Sequence, residues 1–137
     1  IRVSADNLTA NVEDKTTGKT GDTVKVELPI DVVLKANAST PTNITGSLDG
    51  VTSQTAQTAL SPSGVTLMSA DSGFGAGAYT SDITYSLSLP NFLPAGTTLT
   101  PTDTTNSSFA NVTDPTRLGM FAGTYTTTIQ YSTTVAP

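Results

Sequence analysis

Cysteine, histidine and tryptophan are all absent from this chain. Without cysteine there is neither a disulfide framework nor a thiolate metal site, and without histidine the Ser–His and Cys–His nucleophilic pairs and imidazole metal sites are excluded as well. Charge is scarce: 12% of residues are Asp, Glu, Lys or Arg, against about a quarter in an ordinary soluble domain. The balance is acidic, with eleven carboxylates to six bases and a net charge of −5. No basic patch is available to neutralise phosphates, so nucleic acid and anionic membrane surfaces are not expected partners. No apolar run approaches the eighteen or more residues of a membrane span. Helical periodicity is also missing, because Thr, Gly and Pro interrupt every segment with apolar residues at i, i+3, i+4 and i+7.

What is present in abundance is Ser and Thr, together about a third of the 137 residues. Thr is β-branched yet polar and suits the wet face of a strand. Two stretches are near copies, Ala76 to Ser86 and Ala122 to Ser132, sharing the pattern A-G-x-Y-T-x-x-I-x-Y-S. Large side chains alternate with small or polar ones in both. Tyr79, Ile83, Tyr85, Leu87 and Leu89 are expected on one strand face, and Tyr125, Ile129, Tyr131 and Val135 on another, since a period of two buries one face and wets the other.

Val24, Val26, Leu28, Ile30, Val32 and Leu34 alternate without a break, so 23–36 reads as a strand with Pro29 at an edge or a bulge. Residues 13–22 read as a polar loop. Ile44 to Leu48 is a short strand ending at Asp49-Gly50, and Val65 with Leu67 begins another. Residues 90–120, with Pro94, Pro101 and Pro115, are expected to be mostly irregular. The length suits one domain, and seven to nine strands with turn signals at roughly ten-residue spacing give an all-β, Ig-like antiparallel β-sandwich spanning 1–137.

The N-terminal segment carries a phase slip. Ile1, Val3 and Ala5 alternate, then Leu8, Ala10 and Val12 alternate one position out of step. Either 1–12 is a strand of the chain's own sandwich with a bulge near Asp6-Asn7, or Ile1–Ala5 is a free extension that pairs elsewhere. Ile1 is not an initiator Met, so a processed mature end is expected.

Chemistry is thin. Asp71 and Asp82 are the only carboxylate pair worth considering for glycoside hydrolysis, and sparse loop carboxylates are ordinarily solvated. Asp71-Ser72-Gly73, or Asp103 with Asp114, supply oxygens for calcium without EF-hand spacing. Gly73-x-Gly75-x-Gly77 precedes no helical pattern and reads as a turn. No catalytic residue, metal or cofactor is expected, and the chain is read as a non-enzyme. Five of seven asparagines lie in N-x-S/T: Asn7, Asn37, Asn43, Asn106 and Asn111 are candidate glycan acceptors in a host with that machinery. Tyr79 and Tyr125 fit a structural role in the manner of a tyrosine corner. Phe74, Phe92 and Phe121 lie near turns, with core filling the expected role and contact with a glycan or partner the alternative.

The closing segment Ala122-Gly123-Thr124-Tyr125, running into a terminal alternating strand, resembles that of bacterial fimbrial subunits of the chaperone–usher kind. Ile1-Arg2-Val3-Ser4-Ala5 resembles the short extension that cysteine-free members of that group donate to a neighbouring subunit. The resemblance implies Ile1, Val3 and Ala5, with Leu8 following, as strand-exchange side chains in a self-assembling fibre. A second resemblance, carried by Met68-Ser69-Ala70, Gly75-Ala76-Gly77, Leu87-Ser88-Leu89-Pro90 and Ala122 to Tyr125, is to WxL-type cell-surface domains of Gram-positive bacteria, and implies a wall-polymer- or glycan-binding monomer. Both imply an extracellular, cell-surface location, with copies of the chain or neighbouring surface subunits as partners in the first case.

Overall fold

A computed structural model describes residues 1–45, 51–70 and 78–133. In chain order the strands are β1 (Arg2–Ala5), β2 (Leu8–Glu13), β3 (Thr23–Leu28), β4 (Leu34–Ala38), β5 (Thr42–Thr45) and β6 (Val51–Ser53). They continue with β7 (Thr58–Ala59), β8 (Val65–Thr66), β9 (Met68–Ala70), β10 (Ala78–Thr80), β11 (Ile83–Leu87), β12 (Thr98–Pro101) and β13 (Ile129–Ser132). One helical turn, α1 (Ile30–Val33), and two 3₁₀ turns, Lys15–Thr17 and Pro115–Arg117, are the helical elements among the described residues. The chain is all-β, and every registered strand pair is antiparallel, the arrangement an all-β sandwich uses. No helix among the described residues is long and apolar enough to cross a membrane.

The chain divides into two compact units. The first gathers Ile1–Ala5, Leu34–Leu87 and Ile129–Pro137. Its sheets run β13-β1-β8, β11-β4-β7, β10-β5 and β6-β9. Its buried apolar residues are Val3, Ala5, Leu34, Ala36, Ala38, Leu60, Leu67 and Met68. The second gathers Asp6–Val33 and Ser88–Thr128 around the sheet β12-β3-β2. Its buried apolar residues are Leu8, Ala10, Val24, Val26, Leu28, Ile30, Val33 and Leu93.

Strands are shorter and more numerous than the alternation alone suggests, because long apolar runs are cut where they change sheets. The run 23–36 is not one strand. Pro29 ends β3, having no N–H for the ladder, and the chain makes one helical turn before β4. In that turn the period changes from two to 3.6, so Ile30 and Val33 are buried while Val32 is 50% exposed. The phase slip at Asp6-Asn7 has the same origin. β1 pairs with β13 and β8, whereas β2 pairs with β3, so the two halves bury side chains in different units and no bulge is needed. At Leu67 the chain again changes partner, from β1 to β6.

Both repeat copies also change sheet midway. In the first, β10 pairs with β5 and β11 with β4. In the second, Thr126 bridges Thr9, with N···O distances of 2.9 and 2.8 Å, before β13 joins β1. The expected continuous faces are therefore split. Leu87, Leu89 and Tyr131 are 56%, 42% and 56% exposed rather than buried. Asp49-Gly50, Gly73 to Gly77, Phe74 and Val135 lie outside the described residues.

The loop between β2 and β3 is polar, as its composition requires, and is closed by Gly18 and Gly21 at φ +71° and +91°. Residues 90–120 carry one strand, β12, and one 3₁₀ turn.

Candidate functional site

The N-terminal strand is paired along both edges within its unit. Antiparallel register sets Arg2, Val3, Ser4 and Ala5 opposite Ser132, Tyr131, Gln130 and Ile129 on one side. On the other side Arg2 and Val3 face Thr66 and Val65. β1 is thus the central strand of three, neither an edge nor a free extension in this structure, and Val3 and Ala5 are 0% and 1% exposed. The Ile1 nitrogen donates to Met68 O at 2.6 Å, and Ile1 O accepts from Leu67 N at 2.9 Å. Ala5 N donates to Ser61 O at 3.2 Å.

Arg2 fastens the outer face. Its guanidinium donates to Thr66 Oγ1 (3.0 Å), Gly64 O (3.1 Å) and Ser63 O (3.3 Å). Gly64 stands at φ +93°, a conformation that favours glycine, and a Cβ there would lie 3.3 Å from the tip of the Arg2 side chain at Nη2. A cavity of about 270 Å³, lined by Ile1, Ala38, Leu67, Met68, Ser81 and Ile83, lies at the Ile1 end.

The four residues Ile1, Val3, Ala5 and Leu8 do not act together. The first three share this setting, while Leu8 is buried in the second unit, where β2 pairs with β3. The sheet change at Asp6-Asn7, which the phase slip marks, separates them. Asn7 stands at that junction. Its Oδ1 accepts from Ile30 N (3.1 Å) and its Nδ2 donates to Glu27 Oε1 (3.4 Å).

The repeat tyrosines take distinct places. Tyr85 on β11 and Tyr131 on β13 are hydrogen-bonded hydroxyl to hydroxyl. Among the described residues these two strands each pair on one side only. Burial first, then the Tyr131 hydrogen bond, pushes the Tyr85 phenol well above its ordinary pKa. Ile83 and Ile129 are half-buried at the starts of these strands. Tyr125 donates its hydroxyl to Phe121 O at 2.8 Å, four residues upstream, which is tyrosine-corner geometry; burial raises its pKa. Phe121 packs edge-on against Phe109, ring centroids 5.0 Å apart. Tyr79 falls in β10, and its side chain lies outside what is described. Gly123 has a packing reason: a Cβ there would meet Val12 Cγ2 at 3.1 Å, so β2 needs a glycine passing over it.

The loop carboxylates have structural partners. Asp103 accepts from Asn106 N, Asn106 Nδ2 and Thr105 N at 3.0–3.1 Å and from Lys19 Nζ at 3.1 Å. The Asn106 donors, then Lys19, hold its carboxyl well below the usual range. Asp114 accepts from Thr116 N at 3.1 Å, capping the turn Pro115–Arg117. The two carboxylates proposed for calcium are therefore committed to separate turns. Asp82 is exposed, and Asp71 lies outside the described residues. No group of three or more Asp or Glu suited to a metal occurs among the described residues.

One carboxylate escaped the sequence. Asp14 is fully buried and caps Lys15–Thr17, accepting from Ser107 Oγ (2.5 Å) and from Thr16 N (3.1 Å). The Ser107 and Thr16 hydroxyls hold its carboxyl below its ordinary value. Asp-x-Thr, repeated at 14–16 and 114–116, was the available signal, since an Asx turn opens each.

Against this geometry, comparison with protein-family models, curated proteins and solved structures finds no match to the chain. The class defined here is an antiparallel all-β protein in which Asp14, Asp103 and Asp114 serve turns and the N-terminal strand is the central one of three.

Proposed function

We propose that this chain is a non-enzymatic structural protein of the cell surface, with an Ig-like sandwich architecture, that associates with copies of itself by exchanging β1. One observation carries the proposal. β1 is bonded along both edges within the first unit, yet the chain that follows it directly, β2, folds into the second unit. Such a segment can leave one copy and enter the same slot of another with every bond conserved, which makes exchange a low-cost route to polymers. The hydroxyl-rich, weakly charged composition supports an extracellular setting.

The register supplies a test. Ser4 lies opposite Gln130, and directly opposed antiparallel residues are close enough for a disulfide. The chain has no other cysteine, so Ser4→Cys with Gln130→Cys reports only this pair. Oxidised ladders on a non-reducing gel, reduced to monomer and dimer in either single-cysteine variant, are expected. Exclusive cross-linking within single chains at high protein concentration sinks the proposal.

A second function, binding of glycan or wall polymer by the monomer, draws on Phe92, which is 60% exposed in the second unit rather than filling its core. An exposed aromatic face suits stacking on a sugar. Saturable binding to peptidoglycan or a glycan array, lost on Phe92→Ala, is its expected result; no binding to either refutes it.

A further inference from the structure

Five sequons present the same chemistry in sequence, but their amides stand in different surroundings. Asn7 is half-buried with both amide atoms bonded, to Ile30 N and Glu27 Oε1. Asn37 lies inside β4, its Nδ2 donating to Thr55 O (3.0 Å) and its Oδ1 accepting from Gln57 Nε2 (2.7 Å). Asn106 donates its Nδ2 to Asp103 Oδ2 (3.1 Å), in the network that also holds Lys19. The Asn43 side chain lies outside what is described. Asn111 shares its exposure and its place outside strands and helices with Asn106, and differs from Asn7, Asn37 and Asn106 in the bonding of its amide. It is exposed, it belongs to no strand or helix, and its amide makes no hydrogen bond among the described residues. The sequon hydroxyl, Thr113, is exposed too.

We infer that Asn111 is an N-glycan acceptor site, presented by an irregular exposed loop for transfer of an oligosaccharide from a lipid pyrophosphate donor. In that step Asn111 Nδ2 bonds to the anomeric carbon of the donor sugar and loses one proton to a base of the transferase. The bond from that carbon to the pyrophosphate oxygen breaks, and the lipid pyrophosphate leaves with the electron pair; nothing is oxidised or reduced. Asn111-Val112-Thr113 needs no rearrangement of described hydrogen bonds to enter a transferase. Asn7, Asn37 and Asn106 must first give up one or two bonds, which lowers their reactivity in the folded chain by about tenfold or more. Modification in the organism rests on the surface location proposed above, whereas acceptor competence does not.

The test therefore uses the folded, unglycosylated full chain, a microsomal oligosaccharyltransferase and a lipid pyrophosphate-linked oligosaccharide. Cleavage before Asp103 and Asp114 releases peptide 103–113, and enzymatic deglycosylation in heavy-oxygen water marks which asparagine carried sugar. The expected result is addition of one glycan at Asn111, retained in Thr113→Ser and abolished in Thr113→Ala and Asn111→Gln, with circular dichroism unchanged in all three. Absence of transfer to Asn111, or equal labelling of Asn7, Asn37 or Asn106, overturns the inference. Failure of β1 exchange leaves this outcome unaffected, so the two proposals fail separately.

Discussion

Val3→Ala tests the placement of the N-terminal strand most directly. Val3 is fully buried at the centre of β13-β1-β8, opposite Tyr131 and Val65. The substitution removes two methyl groups, at about 0.8 kcal/mol each for transfer from water. The cavity left behind adds to this, for a total of about 2 kcal/mol. For a chain of this size that corresponds to a fall of roughly 8 °C in thermal midpoint. The matched control is Val32→Ala, the same chemical change at a side chain 50% exposed on α1, which shifts stability by no more than about 0.5 kcal/mol. Paired urea titrations followed by circular dichroism, with thermal melts, measure the difference. Equal stabilities of the two variants refute the packing of β1 inside its own chain, and with it the conservation of contacts on which strand exchange depends.

Tyr125→Phe deletes the hydroxyl that donates to Phe121 O and is expected to cost about 1 kcal/mol, read as a shift in urea midpoint at constant slope. Gly123→Ala pushes a methyl toward Val12 Cγ2 at 3.1 Å; the crowding costs about 1 kcal/mol, relieved when Val12→Ala is added in a double-mutant cycle. Asp14 and Asp103 have folded pKa values below the ordinary 3.8. Their contribution to stability is full above that value and is lost as pH falls through the lower folded values. Thermal midpoints should hold from pH 7 to about pH 5 and fall steeply below about pH 4, the fall being shallower in Asp14→Asn.

Legibility followed the range of the interactions. Alternation at β2, β3 and β11 depends only on neighbours along the chain, so the all-β class and many strand positions could be read directly. The polar loop 13–22 and the irregular stretch 90–120 were readable for the same local reason. The burial of Asp14 was not, because its partner Ser107 lies 93 residues away. Nor was the exposure of Leu87 and Tyr131 readable: a period of two says which side chains share a face, but not whether another layer covers that face.

The sequon asparagines make the same point for chemistry. Each carries N-x-S/T, and only Glu27, Ile30, Thr55, Gln57 and Asp103, placed alongside in the folded chain, distinguish the bonded amides of Asn7, Asn37 and Asn106 from that of Asn111. By itself the sequence determined the class: absent His and Cys removed whole families of chemistry, and β-branched, hydroxyl-rich alternation left sheets as the structure to be formed. Tertiary structure decided that runs change sheet at Leu67 and within both repeats, and which strands pair on either side of Asp6-Asn7 and Pro29. Those changes set the partners of β1, because strand pairing joins residues far apart in sequence and depends on which edge is available when the chain closes.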